Sequence, residues 1–560
     1  MNKTAKSFGI VTGFSVLTRA ISFIFKIWVS RALGAEIVGL YQIALSVMMM
    51  LFTLTSGAPT VLSRKVAEAS SKGDIKRQNS LTTASLIMGL SVSAVLVGIM
   101  YALHSHIGFL FSDERCLPIF LIMLPTLITS TLYASFRSWF WGRKNFLAFS
   151  STELLDEIVK IILSVVFAGG LVAFISGAQG LALAMTISDA VCVLVLAVLY
   201  FISGGRLTKP SGFKELISRT VPLSATRIIT SLATSLTAVV IPQMLIKSGM
   251  TVSAATAEYG RVAGMALPLI MAPVMFVSSL SVVLIPDVAE LRAKGDMDSV
   301  RKKLSSAMTF ALLIASVFFV IYLPLGRQIG SLLFGDDTAG LLVSNCSVML
   351  FPIALAQVTT PMLNSLGKER VTFVATLIGA LSTLPCIFLL PQAVGVYSMA
   401  IASTVCFLLI GIINVIALKK EVGSFVDGKK FAKTIAFSVP LAILGVFSSN
   451  LLSRVSGNLV TTIVMIIFLV FFLFIFISAF DIADIVGYIR LLRPAYVAKR
   501  TSSVKRKGIG HYHKSDRNTK RFISIPRSER TSKISSDRKK SNRHPNKSDG
   551  NTKLIKKNRH

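Results

Sequence analysis

The chain has 560 residues, 53% of them hydrophobic and only 15% charged, against about 25% charged in a soluble globular protein, so a soluble fold is excluded. Lys and Arg number 59 against 26 Asp and Glu, a net charge of +33, which points to anionic partners. Its five cysteines, Cys116, Cys192, Cys346, Cys386 and Cys406, stand singly without CxxC spacing, which argues against both a disulfide framework and a zinc site.

About 20 apolar residues cross the roughly 30 Å of bilayer hydrocarbon. Fourteen stretches reach that length, near 8–31, 37–62, 81–103, 117–141, 154–176, 178–202, 217–246, 259–286, 304–326, 340–363, 371–391, 394–417, 431–452 and 457–480. The fold expected is an all-α polytopic membrane protein with about 14 transmembrane helices. The first stretch overlaps "FSVLTRAISFIFKIWVSRALG" (14–34). It is longer than the apolar core of a signal peptide, about 7–15 residues, and Arg19 interrupts it, so it reads as a span.

Alternate loops carry the positive charge. "RKVAEASSKGDIKRQ", "GRKN", "GGRLTKPSGFKELISR", "DVAELRAKGDMDSVRKK", "GKER" and "KKEVGSFVDGKKFAK" are rich in Lys and Arg, whereas "SGAQG", "PQAVG" and "SRVSGN" hold almost none. The positive-inside rule then puts both termini in the cytoplasm of a plasma-membrane protein. Residues 481–500 read as a juxtamembrane amphipathic segment. The stretch 501–560, with 19 Lys and Arg against 4 Asp and Glu, is too polar to bury a core and reads as a disordered cytoplasmic tail. Its expected partner is anionic lipid; without interleaved aromatics, no nucleic acid is expected.

The chain echoes itself. "SRKVAEASSKGD" (63–74) returns as "IPDVAELRAKGD" (285–296), "WGRKN" (141–145) as "LGKER" (366–370), and "LTRAI" (17–21) as "ATRII" (225–229). These ordered echoes predict two parallel six-helix repeats, a lobe over 1–205 and a second over 206–420, with two additional C-terminal helices over 421–480. Parallel repeats of this kind are typical of alternating-access transporters.

Charges inside the spans are the candidate functional residues, because each costs roughly 2.5–3.5 kcal/mol to insert at the bilayer centre. Arg19 and Lys26 are seven apart, nearly one face of a helix, and Arg227 takes the place of Arg19 in the second repeat. All three are expected to line a cavity between the repeats, while Lys26 could also snorkel. Arg261 in "EYGRVAG" lies nearer the outer surface, at a gate or interface. In "SSTELLDEIVK", Ser150 and Glu153 form a capping-box pattern, whereas Glu157 and Lys160 lie deeper and are expected to pair with Arg137 as a cytoplasmic gate. Asp189, mid-span, is expected as a counter-ion to Arg19, with a titrating cation-coupling site as the alternative.

The stretches "LGAEIVGLYQIALSVMMMLFTLTSGAPTVLSRKVAEASSKGD", "FRSWFWGRKNFLAFSSTELLDEIVK" and "AEYGRVAGMALPLIMAPVMFVSSLSVVLIPDVAEL" resemble the stage V sporulation protein B and oligosaccharide-lipid flippase group of the multidrug/oligosaccharidyl-lipid/polysaccharide exporter superfamily. The likeness extends over nearly all fourteen stretches and leaves out the tail. Trp141 stands where that group usually has glutamine, Asp156 where it has glutamate, and "SLTAVVIPQML" lacks an acid often seen in the seventh span; an acid at Asp189 fits the group.

The resemblance implies a flippase for a lipid-linked oligosaccharide such as a polyprenyl-pyrophosphate peptidoglycan precursor, active in growth or sporulation. It would be driven by membrane potential or a coupling cation. No enzymatic activity, cofactor or metal site is expected. "GSFVDGKK" (423–430) lacks the Ser or Thr that ends a phosphate-binding loop, and His104 and His106 sit in a loop as solvated residues. Two alternatives stand beside this reading: a cation-coupled multidrug or metabolite exporter on the same fold, and a non-transporting scaffold for cell-envelope enzymes.

Overall fold

The computed structural model describes residues 3–171, 175, 177–425, 428–454 and 457–479. The juxtamembrane segment at 481–500 and the basic tail at 501–560 lie outside the described residues.

Among the described residues the chain is helical, without strands. The first half comprises α1 (Lys3–Thr55), α2 (Gly57–Ser71), α3 (Ile75–Ala102), the short α4 (His104–Ile107), α5 (Cys116–Met123), α6 (Thr126–Gly142), α7 (Phe146–Ala168) and α8 (Gly177–Ile202). After a connector at 203–212 come α9 (Phe213–Lys247), α10 (Val252–Gly260), α11 (Leu267–Met271), α12 (Val274–Ala293), α13 (Met297–Phe334) and α14 (Asp337–Cys346). The second half continues with α15 (Leu350–Ser365), α16 (Glu369–Leu389), the short α17 (Pro391–Val394) and α18 (Tyr397–Val422), followed by α19 (Gly428–Leu452) and α20 (Asn458–Ala479).

Eleven helical stretches among the described residues are long and apolar enough to cross a membrane. The other three expected stretches are helical but interrupted or charged. The second continues from the first within α1, whose 53 residues would extend about 80 Å if straight; Gly34, at φ 80° and ψ 171°, breaks it. The fifth, α7, carries Glu153, Asp156, Glu157 and Lys160. The eighth is divided by a π-turn over Arg261–Ala266 and by Pro268 and Pro273.

The echo at 63–74 and 285–296 has a local structural cause. Gly73 (φ 70°) and Gly295 (φ 74°) adopt left-handed conformations that terminate one helix. The next residue then caps another: Asp74 accepts from the Arg77 N–H at 2.8 Å, and Asp296 from the Ser299 N–H at 3.0 Å. The same tight reversal is thus built twice from Gly-Asp.

Large apolar side chains remain on outward faces, such as Leu147, Ile158, Ile162 and Val165 of α7. Ile158, Ile162 and Val165, at three- and four-residue spacing, with Leu147 eleven residues before Ile158, form one stripe, suited to lipid. The opposite side of α7 joins an aromatic core in which Trp139 and Tyr200 are 4.8 Å apart, with Val61, Leu62, Val66, Phe140 and Phe149 buried around them. The connector is laced to α3: Ser80 Oγ donates to the Lys209 carbonyl at 2.9 Å, and the Thr208 N–H donates to Thr83 Oγ1 at 3.1 Å.

Candidate functional site

The two halves meet closely at the end of the bundle that carries Gly34. There α1 crosses α10 on glycines: a Cβ added to Gly39 would lie 2.1 Å from the Thr256 carbonyl oxygen, and one on Gly260 2.1 Å from that of Ala35. Only glycine lets these backbones approach so closely.

Polar contacts surround the crossing. Ser253 Oγ donates to Glu36 at 2.6 Å, Arg115 Nη2 meets the same carboxylate at 2.6 Å, and Thr256 Oγ1 donates to Asp113 at 3.3 Å. Burial raises the Asp113 carboxyl, but hydrogen bonds from the Arg115 side chain and backbone, its charge, and the Thr256 hydroxyl hold it below the usual carboxylate range. Arg31 reaches across to the C-terminal end of α13, donating to the Leu332 and Leu333 carbonyls at 2.8 and 3.0 Å, where a cation also suits the helix dipole. A cavity of about 350 Å³ opens beside it, lined by Ser30, Arg31, Ala35, Met265, Phe334 and Asp336 among others. Arg261 is tied down here: its Nε donates to Asp336 at 2.8 Å and its Nη1 to Glu258 at 2.8 Å. It is a clasp within the second half.

Arg19 and Arg227 are placed differently. Both are exposed, and neither has an acidic partner among the described residues. Arg227 lies on the face of α9 that meets the first half, its Nη1 3.4 Å from Thr60 Oγ1; two turns on, Ser235 Oγ donates to the Ser46 carbonyl at 2.5 Å. Lys26 is likewise exposed and shares the electrostatic field of Glu157 and Lys160.

A polar seam runs between α6, α7 and α8. Ser130, Tyr133, Arg137 and Trp141 recur at three- and four-residue spacing along one face of α6. Ser130 Oγ donates to Asp189 at 2.9 Å, Tyr133 OH is 3.2 Å from Thr152 Oγ1, and Arg137 Nη2 meets Glu153 at 2.5 Å. On the facing helices Ser188 Oγ donates to Asp156 at 2.7 Å, while Lys160 Nζ is 2.6 Å from Glu157 and 3.9 Å from Asp156.

The seam corrects three expectations. Arg137 pairs with Glu153, and Glu157 pairs with Lys160 on its own helix. Nor is Glu153 a helix cap: Lys144, at φ 59°, makes a tight turn and α7 already begins at Phe146. Asp189 has Ser130 as its hydrogen-bond donor, and its charged neighbours are Asp156 and Lys160, so the structure does not join it to Arg19. The cluster around Glu36, Asp113 and Arg31 was missed by sequence reasoning, because apart from the local Asp113–Arg115 pair its partners come from 79 to 302 positions away. Among the described residues no group of His, Cys, Asp and Glu is arranged to hold a metal ion.

Comparison with known proteins bears on the whole arrangement. The family model described as polysaccharide biosynthesis protein matches residues 4–292. Stage V sporulation protein B of Bacillus subtilis (strain 168) is 24% identical over 468 residues, covering 80% of this chain and 89% of that protein. Among solved structures, the lipid II flippase MurJ in an inward closed conformation superposes with a TM-score of 0.67 at 15% identity, covering 86% of this chain and 99% of that one. An inward-facing multidrug resistance MATE family transporter of the MOP superfamily gives 0.61 at 15% identity, covering 73% and 95%. The fold is that of this transporter superfamily.

Proposed function

The chain belongs to the polysaccharide biosynthesis protein family, and from that premise we propose that it is a flippase. Its substrate is a lipid-linked oligosaccharide of the polyprenyl-pyrophosphate peptidoglycan-precursor class, moved from the inner to the outer leaflet of the plasma membrane by alternating access. The observation that carries this reading is the pair of exposed intramembrane cations, Arg19 and Arg227, without acidic partners among the described residues.

Taking an unpaired ion into hydrocarbon costs on the order of tens of kcal/mol, so a pyrophosphate needs such groups along its path. Guanidinium forks replace its hydration with charge-assisted, two-point hydrogen bonds. The polyprenyl tail stays in lipid while the head passes between the halves. With the positively charged loops in the cytoplasm, the Gly34 end faces outward, and the closed glycine crossing there supports a cytoplasm-facing, loading state. Outward movement of an anion gains about 2.3 kcal/mol per charge per 100 mV of cytoplasm-negative potential, which supplies a drive, alone or with a coupling cation.

The acidic seam favours a second reading. Asp156, Glu157 and Asp189 near Lys160 suit an exporter of cationic compounds coupled to a cation. Reconstitution separates the two. Proteoliposomes loaded with polyprenyl-pyrophosphate sugars on one leaflet are expected to expose the head group to an impermeant probe, and Arg19→Ala and Arg227→Ala to abolish this at matched insertion. Wild-type protein that leaves the lipids in place but extrudes cationic dyes would favour the exporter.

A further inference from the structure

We infer that Trp141, with the Arg137–Glu153 pair, forms a platform that recognises a sugar ring of the transported head group, apart from the cations that take its phosphates. The inference rests on the flippase reading above and adds a specificity-determining site to it.

Three observations converge on one point of the seam. Trp141 is 44% exposed, although it ends a helix face whose three preceding members all reach polar partners on α7 or α8. The exposed ring is rigidly backed: it packs against Phe149 at 4.9 Å and meets Phe146 edge-on at 5.6 Å. The Arg137 guanidinium lies over it, 5.6 Å from the ring centroid and 5.1 Å from that of Phe149, and is held by Glu153. The Arg137 Nε is buried without a hydrogen-bond partner.

This is chemistry for a neutral polyol more than for an anion. The negative face of an indole attracts the positively polarised C–H groups on one face of a pyranose ring, and a fixed Arg–carboxylate pair beside it presents donors and acceptors to the ring's hydroxyl or acetamido groups. The charge balance argues the same way. Along the seam Glu153, Asp156, Glu157 and Asp189 outnumber Arg137 and Lys160, so a pyrophosphate is repelled there and drawn to Arg19 and Arg227.

Position gives the site its role. Trp141 stands at the Gly142 end of α6, where neighbouring Arg143 reaches the connector through the Ser203 carbonyl at 3.2 Å. With the basic loops in the cytoplasm, that is the cytoplasmic end of the bundle, the side from which a head group would enter. An interfacial anchor would also put tryptophan at a helix end, but an anchor has no dependence on the sugar.

The test uses full-length protein in proteoliposomes and two lipids, polyprenyl pyrophosphate with and without an N-acetylated disaccharide. Trp141→Leu keeps the apolar bulk and is expected to slow flipping of the sugar-bearing lipid by about three- to tenfold, the worth of one aromatic contact. Flipping of the sugar-free lipid should be unchanged, and Trp141→Tyr should restore most of the rate on the sugar-bearing one. Equal loss on both lipids, or no loss, would overturn the platform while leaving the flippase intact. If wild-type protein flips neither lipid, the flippase reading fails and fluorescence decides the platform. In a Trp28→Phe background, soluble diacetylchitobiose should quench emission saturably, and the further change Trp141→Leu should remove the effect. No quenching, or quenching that survives Trp141→Leu, would count against it.

Discussion

Ser253 donates a 2.6 Å hydrogen bond to Glu36 across 217 positions of the chain, so one carboxylate at the break in α1 joins the two halves of the protein. The bond is exposed, and polar contacts of that kind contribute at most about 1 kcal/mol each. Its significance is geometric: it can exist only while the Gly34 end is closed. Glu36→Cys with Ser253→Cys, joined by a short bifunctional thiol reagent, is expected to arrest transport, and reductive release to restore it. Uninterrupted flipping in fully cross-linked protein would show that this end need not open.

Packing should matter more to that closure than charge. Gly260→Ala sets a methyl group 2.1 Å from the Ala35 carbonyl oxygen, which the backbones can relieve only by moving apart. Overpacking of this kind costs about 1–3 kcal/mol. The expected outcome is increased reaction of a cysteine at Ser30 with an impermeant thiol reagent and a lower melting temperature. Glu36→Gln should shift both readouts much less.

The connector supplies a pH prediction. Glu215 Oε1 is 2.6 Å from Lys65 Nζ and its Oε2 is 2.7 Å from Arg77 Nη2. The Lys65 hydrogen bond first, with the charges of Lys65 and Arg77, outweighs burial and holds the Glu215 carboxyl below its usual range. A lowered folded-state value means that the stabilisation is complete above the unfolded value of about 4.3 and is lost as pH falls through the folded one. Protease nicking of the connector at 203–212 should therefore stay flat from neutral pH down to about 5 and rise only in stronger acid. Glu215→Gln should raise it already at neutral pH.

Arg19 and Asp189 offer a test of independence. Because Asp189 is held by Ser130, Asp189→Asn is expected to leave the defect of Arg19→Ala uncorrected in the flipping assay. Arg19→Lys should recover part of the activity, since lysine keeps the charge but loses the planar fork. Full recovery in the double variant would make Arg19 a structural partner instead.

What could be read from the chain follows from which forces are local. Most spans announce themselves because a bilayer demands an unbroken apolar run; the echo at 63–74 and 285–296 was visible too, but the Gly-Asp reversal it encodes emerged only from the structure. The unusual helices were harder to read. The string "SRALGAEI" contains one glycine and no proline, asparagine or aspartate, yet Gly34 divides α1; and "YGRVAGMALPL" shows its proline but not the π-turn before it. Charge pairing was the least legible. Arg137 had Glu153 and Glu157 within reach on α7, and the start of the helix at Phe146, set by the turn at Lys144, decided between them.

The last two helices lean on one neighbour. α19 and α20 pack against each other and on α13, where Ser449 Oγ lies 3.4 Å from the Pro324 carbonyl; their principal contacts are all with the second half. They are therefore passengers of that half, and a fluorophore on α20 paired with one on α3 would act as a goniometer for the proposed alternating-access cycle, reading whether the halves rotate without touching either the glycine crossing or the polar seam.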